Sequence, residues 1–373
     1  MDSFLPDVPE FTPEALAALL ESGEPIQVMD VRVPEQVARG RIDQIPGERF
    51  YNIRGSELMH YPTSESTGLD PGLPVAVVCG LGKDSKVLAF HLGRMGLDAR
   101  TLAGGMVEWM RLALPRPIDP TDSLEGLVQL DRIGSGCLGY LLLSEGDALI
   151  IDPPLFAGAY LKEIERHGAK LVGVADTHVH ADYVSGGPRL SKEMDVPYYL
   201  HPADAVYPYD GTPGRIEFHA VSEGDRIEFG QAGLTVMHTP GHTEGSVTYL
   251  LDQRVAFTGD FFFVGSIGRP DLGGREETWG SLLWESVVRA KTEWSPGTLI
   301  LPAHYASPSE RRPDGSIGAD FGTLLAENEA LGHRDDEAFL GWILENKASF
   351  PEAYKKIKAL NVGLAPIVDS EVE

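Results

Sequence analysis

Four segments put histidine and carboxylate side chains directly after apolar runs: His178, His180 and Asp182, then His242, then Asp260, then His304. The runs read as β-strands, and each ligand-type residue stands where its run breaks. Strand ends that meet at one sheet edge gather side chains from distant positions around one ion. Imidazole and carboxylate together suit a divalent first-row cation. A second chemistry is offered by Cys79-Gly80-Leu81-Gly82-Lys83-Asp84-Ser85, between an apolar run and a helical pattern. Successive backbone N–H groups of a tight loop at a helix start form an anion cradle. Gly80 and Gly82 let the backbone curl close to the sulfur. A thiolate held there is stabilised and nucleophilic. On the loop alone, a buried structural cysteine ending a strand is an equal reading.

The elements that must position these groups form two blocks. In the first, the pattern predicts a helix over 13–20 with Thr12 as cap, strands over 26–29 and 75–78, and a helix over 85–95 stopped by Gly96. Strand–helix alternation of this kind suggests a parallel sheet. Three prolines within Leu114–Pro120 interrupt both helix and strand patterns and mark the seam. The second block shows strand-like runs over 139–143, 148–151, 171–175, 234–237, 246–251, 255–257 and 298–301. Helical pieces are expected over 160–166 and 279–291. The tail from 321 to 357 reads as helical, with Leu324, Leu325, Leu331, Phe339, Leu340 and Ile343 as core contacts. Lys355, Lys356 and Lys358 read as a solvated helix face. Cys137 reads as a small buried residue, and His201 as a structural polar one.

With 373 residues, two domains are the prior expectation. The 56 acidic and 31 basic residues give a formal net charge of −25. Such a surface repels nucleic acid and anionic membranes, so neither is expected as a partner. It also repels an anionic substrate unless the site supplies a local cation. No run of 18 apolar residues suggests a membrane span, and the N-terminus lacks the pattern of a secretory signal. Two cysteines do not make a disulfide framework, which points to the cytoplasm.

The first block resembles a rhodanese domain. The C-x-x-G-x-x-S pattern is matched by Cys79, Gly82 and Ser85, with Asp30-Val31-Arg32 upstream and Gly104-Gly105-Met106-Val107-Glu108-Trp109 downstream. The resemblance implies that Cys79 carries a persulfide and that Gly82, Lys83 and Ser85 bind the transferred group. It departs at Gly80, where many active relatives have arginine, which leaves Lys83 as the loop cation.

The second block resembles the metallo-β-lactamase superfamily, whose hallmark is His-x-His-x-Asp-His. Thr239-Pro240-Gly241-His242, Thr258-Gly259-Asp260 and Leu301-Pro302-Ala303-His304 match its later segments. The final histidine of the hallmark is Tyr183 here. In dinuclear relatives such as glyoxalase II that histidine helps hold a second metal, so a single metal is expected. Gly136-Cys137-Leu138-Gly139-Tyr140, Ile151-Asp152-Pro153 and Gly268-Arg269-Pro270-Asp271 are similar to the persulfide dioxygenases of this superfamily.

The combined resemblance implies an α/β chain. A rhodanese-like parallel sheet with helices on both faces would occupy residues 1–118. A metallo-β-lactamase αββα four-layer sandwich with a helical C-terminal extension would occupy residues 123–373. Matched by motif, the metal ligands would be His178, His242 and Asp260, with His180 the least certain member. Asp182 and His304 would join Cys79 as catalytic residues, and Arg269, Asp271 and Tyr305 would bind substrate. Leu325 falls where relatives carry a basic residue for a glutathione carboxylate, so the thiol carrier stays open. The implied cofactor is one Fe(II) per chain, with zinc as an alternative occupant after isolation. The implied partners are a thiol persulfide, O2, and sulfite or thiosulfate, with a homodimer among the assemblies allowed. Two other readings stand beside this one. One is a dinuclear thioester hydrolase of the glyoxalase II kind with an accessory rhodanese, and the other is a sulfur-sensing module without turnover.

Overall fold

The structure, a computed structural model, describes residues 6–270, 276–345 and 353–368. It divides into two compact units, one of residues 1–114 with 132–135 and one of residues 115–131 with 136–373.

The N-terminal unit is built on five parallel strands in the spatial order Glu10–Phe11, Ala99–Leu102, Val75–Val78, Gln27–Asp30, Phe50–Asn52. The central strand Val75–Val78 is wholly buried, as an unbroken apolar run in a parallel sheet requires. One face packs on Leu16, Met106 and Trp109, the other on Leu88, Leu92 and Leu58. The helix Pro13–Ser22 starts as expected, with Thr12 Oγ1 accepting the Ala15 N–H at 3.1 Å. The Asp30-Val31-Arg32 segment closes on itself: Arg32 Nη2 lies 2.7 Å from Asp30 Oδ2 and 2.6 Å from the Gly40 carbonyl oxygen.

The C-terminal unit holds two sheets. The first contains seven strands in the order His219–Ala220, Tyr198–Leu200, Lys170–Ala175, Asp147–Ile151, Cys137–Ser144, Gly126–Arg132, Leu114–Ile118. The second contains six, in the order Arg226–Phe229, Ala232–His238, Val247–Leu251, Val255–Gly259, Leu299–Pro302, Ala319–Asp320. Leu142, Leu149 and Ala175 of the first sheet face Leu234, Tyr249, Phe257 and Leu301 of the second in one dry core. The outer face of the second sheet, through Met237, Leu250 and Ile300, packs on the helices Glu276–Glu293, Phe321–Glu327 and Asp336–Glu345. On the first sheet's outer side, Gly139 leaves room for Tyr160 of the helix Gly158–His167. This is the four-layer αββα arrangement.

Three expectations are corrected. The proline-rich seam is not irregular throughout, because Leu114–Ile118 is a strand at a sheet edge, where Pro115 and Pro117 forfeit no central ladder bond. Leu325 is 36% exposed and not a core contact, whereas its neighbour Leu324 is buried. Lys358 is not on a solvated face but is only 2% exposed, while Lys355 and Lys356 are exposed. No described helix is long and apolar enough to cross a membrane.

The Cys79 loop depends on two glycines packed back to back. Gly82 has φ +75° and Gly105 φ +64°, and a Cβ on Gly105 would collide with the backbone of Cys79 and Gly82. That closeness lets Met106 N–H and Val107 N–H donate to the carbonyls of Cys79 and Gly80 at 2.9 and 3.1 Å. Gly105→Ala is therefore expected to destabilise the N-terminal unit by roughly 1–3 kcal/mol. It should lower the melting temperature, read by thermal denaturation.

Candidate metal centre and cysteine cradle

The candidate ligand residues His178, His242, Asp260 and His304 each follow a strand of the C-terminal unit. Lys170–Ala175 leads into His178, Ala232–His238 into His242, Val255–Gly259 into Asp260, and Leu299–Pro302 into His304. His178, His242 and Asp260 come together, each offering one donor atom, with all three atoms within 4.8 Å of one another. His242 Nε2 lies 3.4 Å and His178 Nε2 3.7 Å from Asp260 Oδ2.

The orientation of each ring is fixed from behind. His242 Nδ1 donates to the Arg269 carbonyl oxygen at 2.9 Å, which leaves a lone pair on Nε2. His178 Nδ1 is paired with Thr177 Oγ1 at 3.0 Å, and its Nε2 is buried without a hydrogen-bond partner. Burial, joined by the neighbouring His180 and His242, holds the His178 imidazole well below the usual histidine range. Burial likewise lowers His242. Neutral rings with inward lone pairs are the state a metal requires. An orphaned buried nitrogen is costly unless something accepts its lone pair. This donor set fits one cation.

His304 stands beside this trio. Its Nδ1 lies 2.6 Å from Asp260 Oδ1 and its Nε2 2.6 Å from Asp182 Oδ2. Burial alone would depress this imidazole, but the two carboxylates outweigh it and hold it well above the usual histidine range. Asp182 and Asp260 are correspondingly lowered, the pull of His304 overcoming their burial. Cys137, buried as expected, sits close by, its thiol 3.6 Å from Asp182 Oδ2.

His180 is drawn away from the trio and grouped with Asp152 and Asp176. Its Nε2 lies 3.2 Å from Asp152 Oδ1 and 2.8 Å from the Tyr183 hydroxyl. The Tyr183 hydroxyl donates to the Asp152 carbonyl oxygen at 3.3 Å, and its ring stacks on His180 at 4.2 Å. Asp152 has a left-handed backbone, φ +52°, a strain that its carboxylate justifies by also accepting Thr177 N–H and Oγ1 at 2.7 and 2.9 Å.

The proposed substrate residues are placed less closely. Arg269 touches the site through its carbonyl, as above. Tyr305 directs its hydroxyl to Asp131 Oδ1 at 3.0 Å and accepts from Arg311 at 3.1 Å. Asp271 lies outside the described residues.

Three residues that the patterns did not assign to the site brace it. Asp204 accepts from Val179 N–H at 2.7 Å, Gly245 N–H at 2.7 Å and Thr243 Oγ1 at 2.8 Å, so one buried carboxylate ties the His178 loop to the His242 loop. Lys358 and Asn361 of the helix Ala353–Asn361 bond to the same His178 loop. No motif marks any of the three. The only sequence signal is a polar residue within an apolar surround.

In the N-terminal unit, Cys79 is buried at the end of its strand. Ser85 N–H donates to Cys79 Sγ at 3.4 Å from the first turn of the helix Asp84–Arg94, and Ser85 Oγ pairs with Thr101 Oγ1 at 2.6 Å. Lys83 is exposed at the start of that helix. The sulfur faces a trough of about 890 Å³ lined by Val33, Arg54, Met59, Leu81 and Lys83 among others.

Fold and site together define a metal-binding αββα unit preceded by a sulfurtransferase-like unit. Residues 132–304 match the metallo-beta-lactamase superfamily and residues 12–112 the rhodanese-like domain. An uncharacterized protein of Aquifex aeolicus is 37% identical over 174 residues, 43% of this chain and 79% of the relative. The mitochondrial persulfide dioxygenase ETHE1 of Mus musculus is 35% identical over 161 residues, 42% of this chain and 59% of the relative. A hydroxyacylglutathione hydrolase of Hyphomonas neptunium is 30% identical over 214 residues, covering 56% and 73%. Among solved structures, ETHE1 from Myxococcus xanthus superposes with a TM-score of 0.54 at 25% identity, covering 64% of this chain and 98% of that one. The chain belongs to the metallo-beta-lactamase superfamily and carries a rhodanese-like domain ahead of that fold.

Asp204→Ala would strand three buried donors, at a cost on the order of 3 kcal/mol. The expected outcome is a lower melting temperature together with loss of bound metal by elemental analysis. Full metal retention would show that Asp204 does not hold the two loops.

Proposed function

We propose that the chain is an enzyme of sulfane-sulfur metabolism, with a mononuclear Fe(II) persulfide dioxygenase in the C-terminal unit and a sulfurtransferase in the N-terminal one. The observation that carries the reading is the fate of Tyr183. Its hydroxyl is engaged by His180 and Asp152, so it offers no donor to a second ion. What remains is two histidines and one carboxylate, a ligand set that leaves coordination positions open and suits non-haem Fe(II) chemistry with O2. Iron held there would supply a Lewis acid and an electron-transfer partner for O2.

The residues of the chain do the rest. His178, His242 and Asp260 would hold the ion, and Arg269 and Thr177 aim the two rings. His304 takes Asp260 Oδ1, which leaves Oδ2 for the ion, and holds a proton between Asp260 and Asp182. One persulfide RSSH, one O2 and one water give one thiol RSH, one sulfite and two protons. In the N-terminal unit, Cys79 thiolate attacks the outer sulfur of thiosulfate, giving a cysteine persulfide and sulfite, and the reverse reaction follows when sulfite is abundant. A trough of about 890 Å³ falls within the range of pockets that take organic ligands. Its exposed Val33, Met59 and Leu81 beside Arg54 and Lys83 favour an organic thiol bearing a carboxylate as the other sulfur carrier.

A second reading has its own observation. Asp182, His304 and Asp260 lie within hydrogen-bonding reach, at the place where a second ion would complete a dinuclear hydrolase. The full chain, loaded anaerobically with Fe(II) and given an organic persulfide, should consume one O2 per sulfite formed and contain about one metal per chain. Two metals per chain, with thioester cleavage and no oxygen uptake above the metal-free control, would replace the dioxygenase with the hydrolase.

A further inference from the structure

The helix Ala353–Asn361 is far in sequence from the loop that carries His178, His180 and Asp182, yet four hydrogen bonds join them. Lys358 Nζ donates to the Val179 carbonyl oxygen at 2.9 Å. Asn361 Nδ2 donates to the carbonyl oxygens of His180 and Tyr183, each at 2.9 Å. Asn361 Oδ1 accepts the Ser185 N–H, also at 2.9 Å. Lys358 is 2% and Asn361 5% exposed, so water does not substitute for either.

The loop needs such partners. Between the strand Lys170–Ala175 and the helix Gly187–Met194 its backbone joins neither a regular ladder nor a helix, apart from an isolated bridge at Ser185. Buried carbonyls and N–H groups must then be satisfied from elsewhere. The groups taken by Lys358 and Asn361 belong to Val179, His180, Tyr183 and Ser185, which interleave with the chemically active positions. A shift of this backbone moves the His178 ring and the Asp182 carboxylate with it. The helix is seated independently of these bonds: Leu360 packs on Leu155 and Val184, with Ile357 alongside, and Arg215 N–H donates to the Val362 carbonyl at 2.7 Å.

We infer that Lys358 and Asn361 are positioning residues of the metal centre, and that the C-terminal helix is a strap fixing the backbone of the ligand loop. Neither side chain touches the donor atoms. Their effect passes through the main chain of residues 179–185, which sets the direction of the His178 ring. The inference rests on cation binding by His178, His242 and Asp260 and holds whichever reaction the cation supports. A site of this kind loses its geometry when its support loosens by a fraction of an ångström.

The test uses the full chain loaded with Co(II), whose visible absorption reports ligand geometry. Asn361→Ala removes three bonds, and Lys358→Met removes one at similar volume. Ile357→Ala, which weakens the packing of the same helix without touching a polar contact, is the comparison. Circular dichroism identifies the variants that fold, and Lys358→Met alone decides if Asn361→Ala does not. The two polar variants are expected to alter the Co(II) band shape and to release cobalt to a chelator at least tenfold faster. Amide exchange of residues 179–185 in the metal-free chain should also rise, with Ile357→Ala close to the unaltered chain in every readout. Folded polar variants with unchanged spectrum, release and exchange would overturn the strap. So would an Ile357→Ala variant disturbed to the same degree. If the unaltered chain takes up no cobalt, the metal reading fails, and the metal-free exchange comparison alone decides the strap.

Discussion

The centre of this molecule is a set of lone pairs that are kept from bonding one another. His178 Nε2 is buried and without a hydrogen-bond partner, and Asp260 Oδ2 lies 3.7 Å from it and 3.4 Å from His242 Nε2. Left alone, such groups would rotate toward the nearest donor or draw in water, because an unpaired buried polar atom is costly. They stay in place because every rear-facing atom is already engaged: Thr177 behind His178, Arg269 behind His242, His304 behind Asp260. Those partners are held by Asp152 and by the strand ends, so the arrangement extends through two layers of side chains before it reaches the apolar core. The dry core between the sheets makes this affordable, since it fixes the strand ends from which each donor projects.

The histidines and carboxylate that the structure gathers were legible in the sequence, and the residues that position them were not. His-x-His-x-Asp, Thr-Pro-Gly-His and the late Ala-His are short local patterns, each after a strand whose apolar run is plain. The strands that were expected lie within two residues of their limits, Val75–Val78 matching its own, whereas Ala99–Leu102, Gly126–Arg132 and Arg226–Phe229 among others were not read as strands. Asp204, Lys358 and Asn361 act only across distance. Lys358 lies 179 residues from the carbonyl it meets, and no local pattern encodes that meeting. Its neighbours made the misreading natural, because Lys355 and Lys356 are exposed and nothing local sets Lys358 apart from them. Leu325 was misjudged for the complementary reason: adjacent leucines on a short helix cannot both face the core, and Leu324 takes that place.

The two units solve the same electrostatic problem by different means. A chain with net charge −25 would have to attract the anionic sulfur species of the proposed reactions locally. In the N-terminal unit, the Ser85 N–H at the helix start meets the sulfur, with Arg54 and Lys83 at the trough. In the C-terminal unit the side chains nearest the donors include Asp152, Asp176, Asp182, Asp204 and Asp260, so a bound cation is what would turn the site attractive to an anion. This is why the metal reading and the substrate reading stand together.

Whether the site takes one cation or two turns on a contest for the same carboxylates. Asp182 and Asp260 both reach toward a central position, and His304 occupies it with a ring nitrogen directed at each. A second cation would have to displace that paired imidazole or strip its proton. In dinuclear relatives the last histidine of the motif offsets that cost by contributing a further donor. Here the corresponding side chain is a neutral phenol, raised well above its usual titration range by burial and by Asp152, and stacked on His180. A phenol so placed cannot ligate without losing its proton in surroundings already rich in negative charge. The pairing of His304 with two carboxylates and the withdrawal of Tyr183 into the Asp152 network therefore act in the same direction, and both support the single ion proposed above.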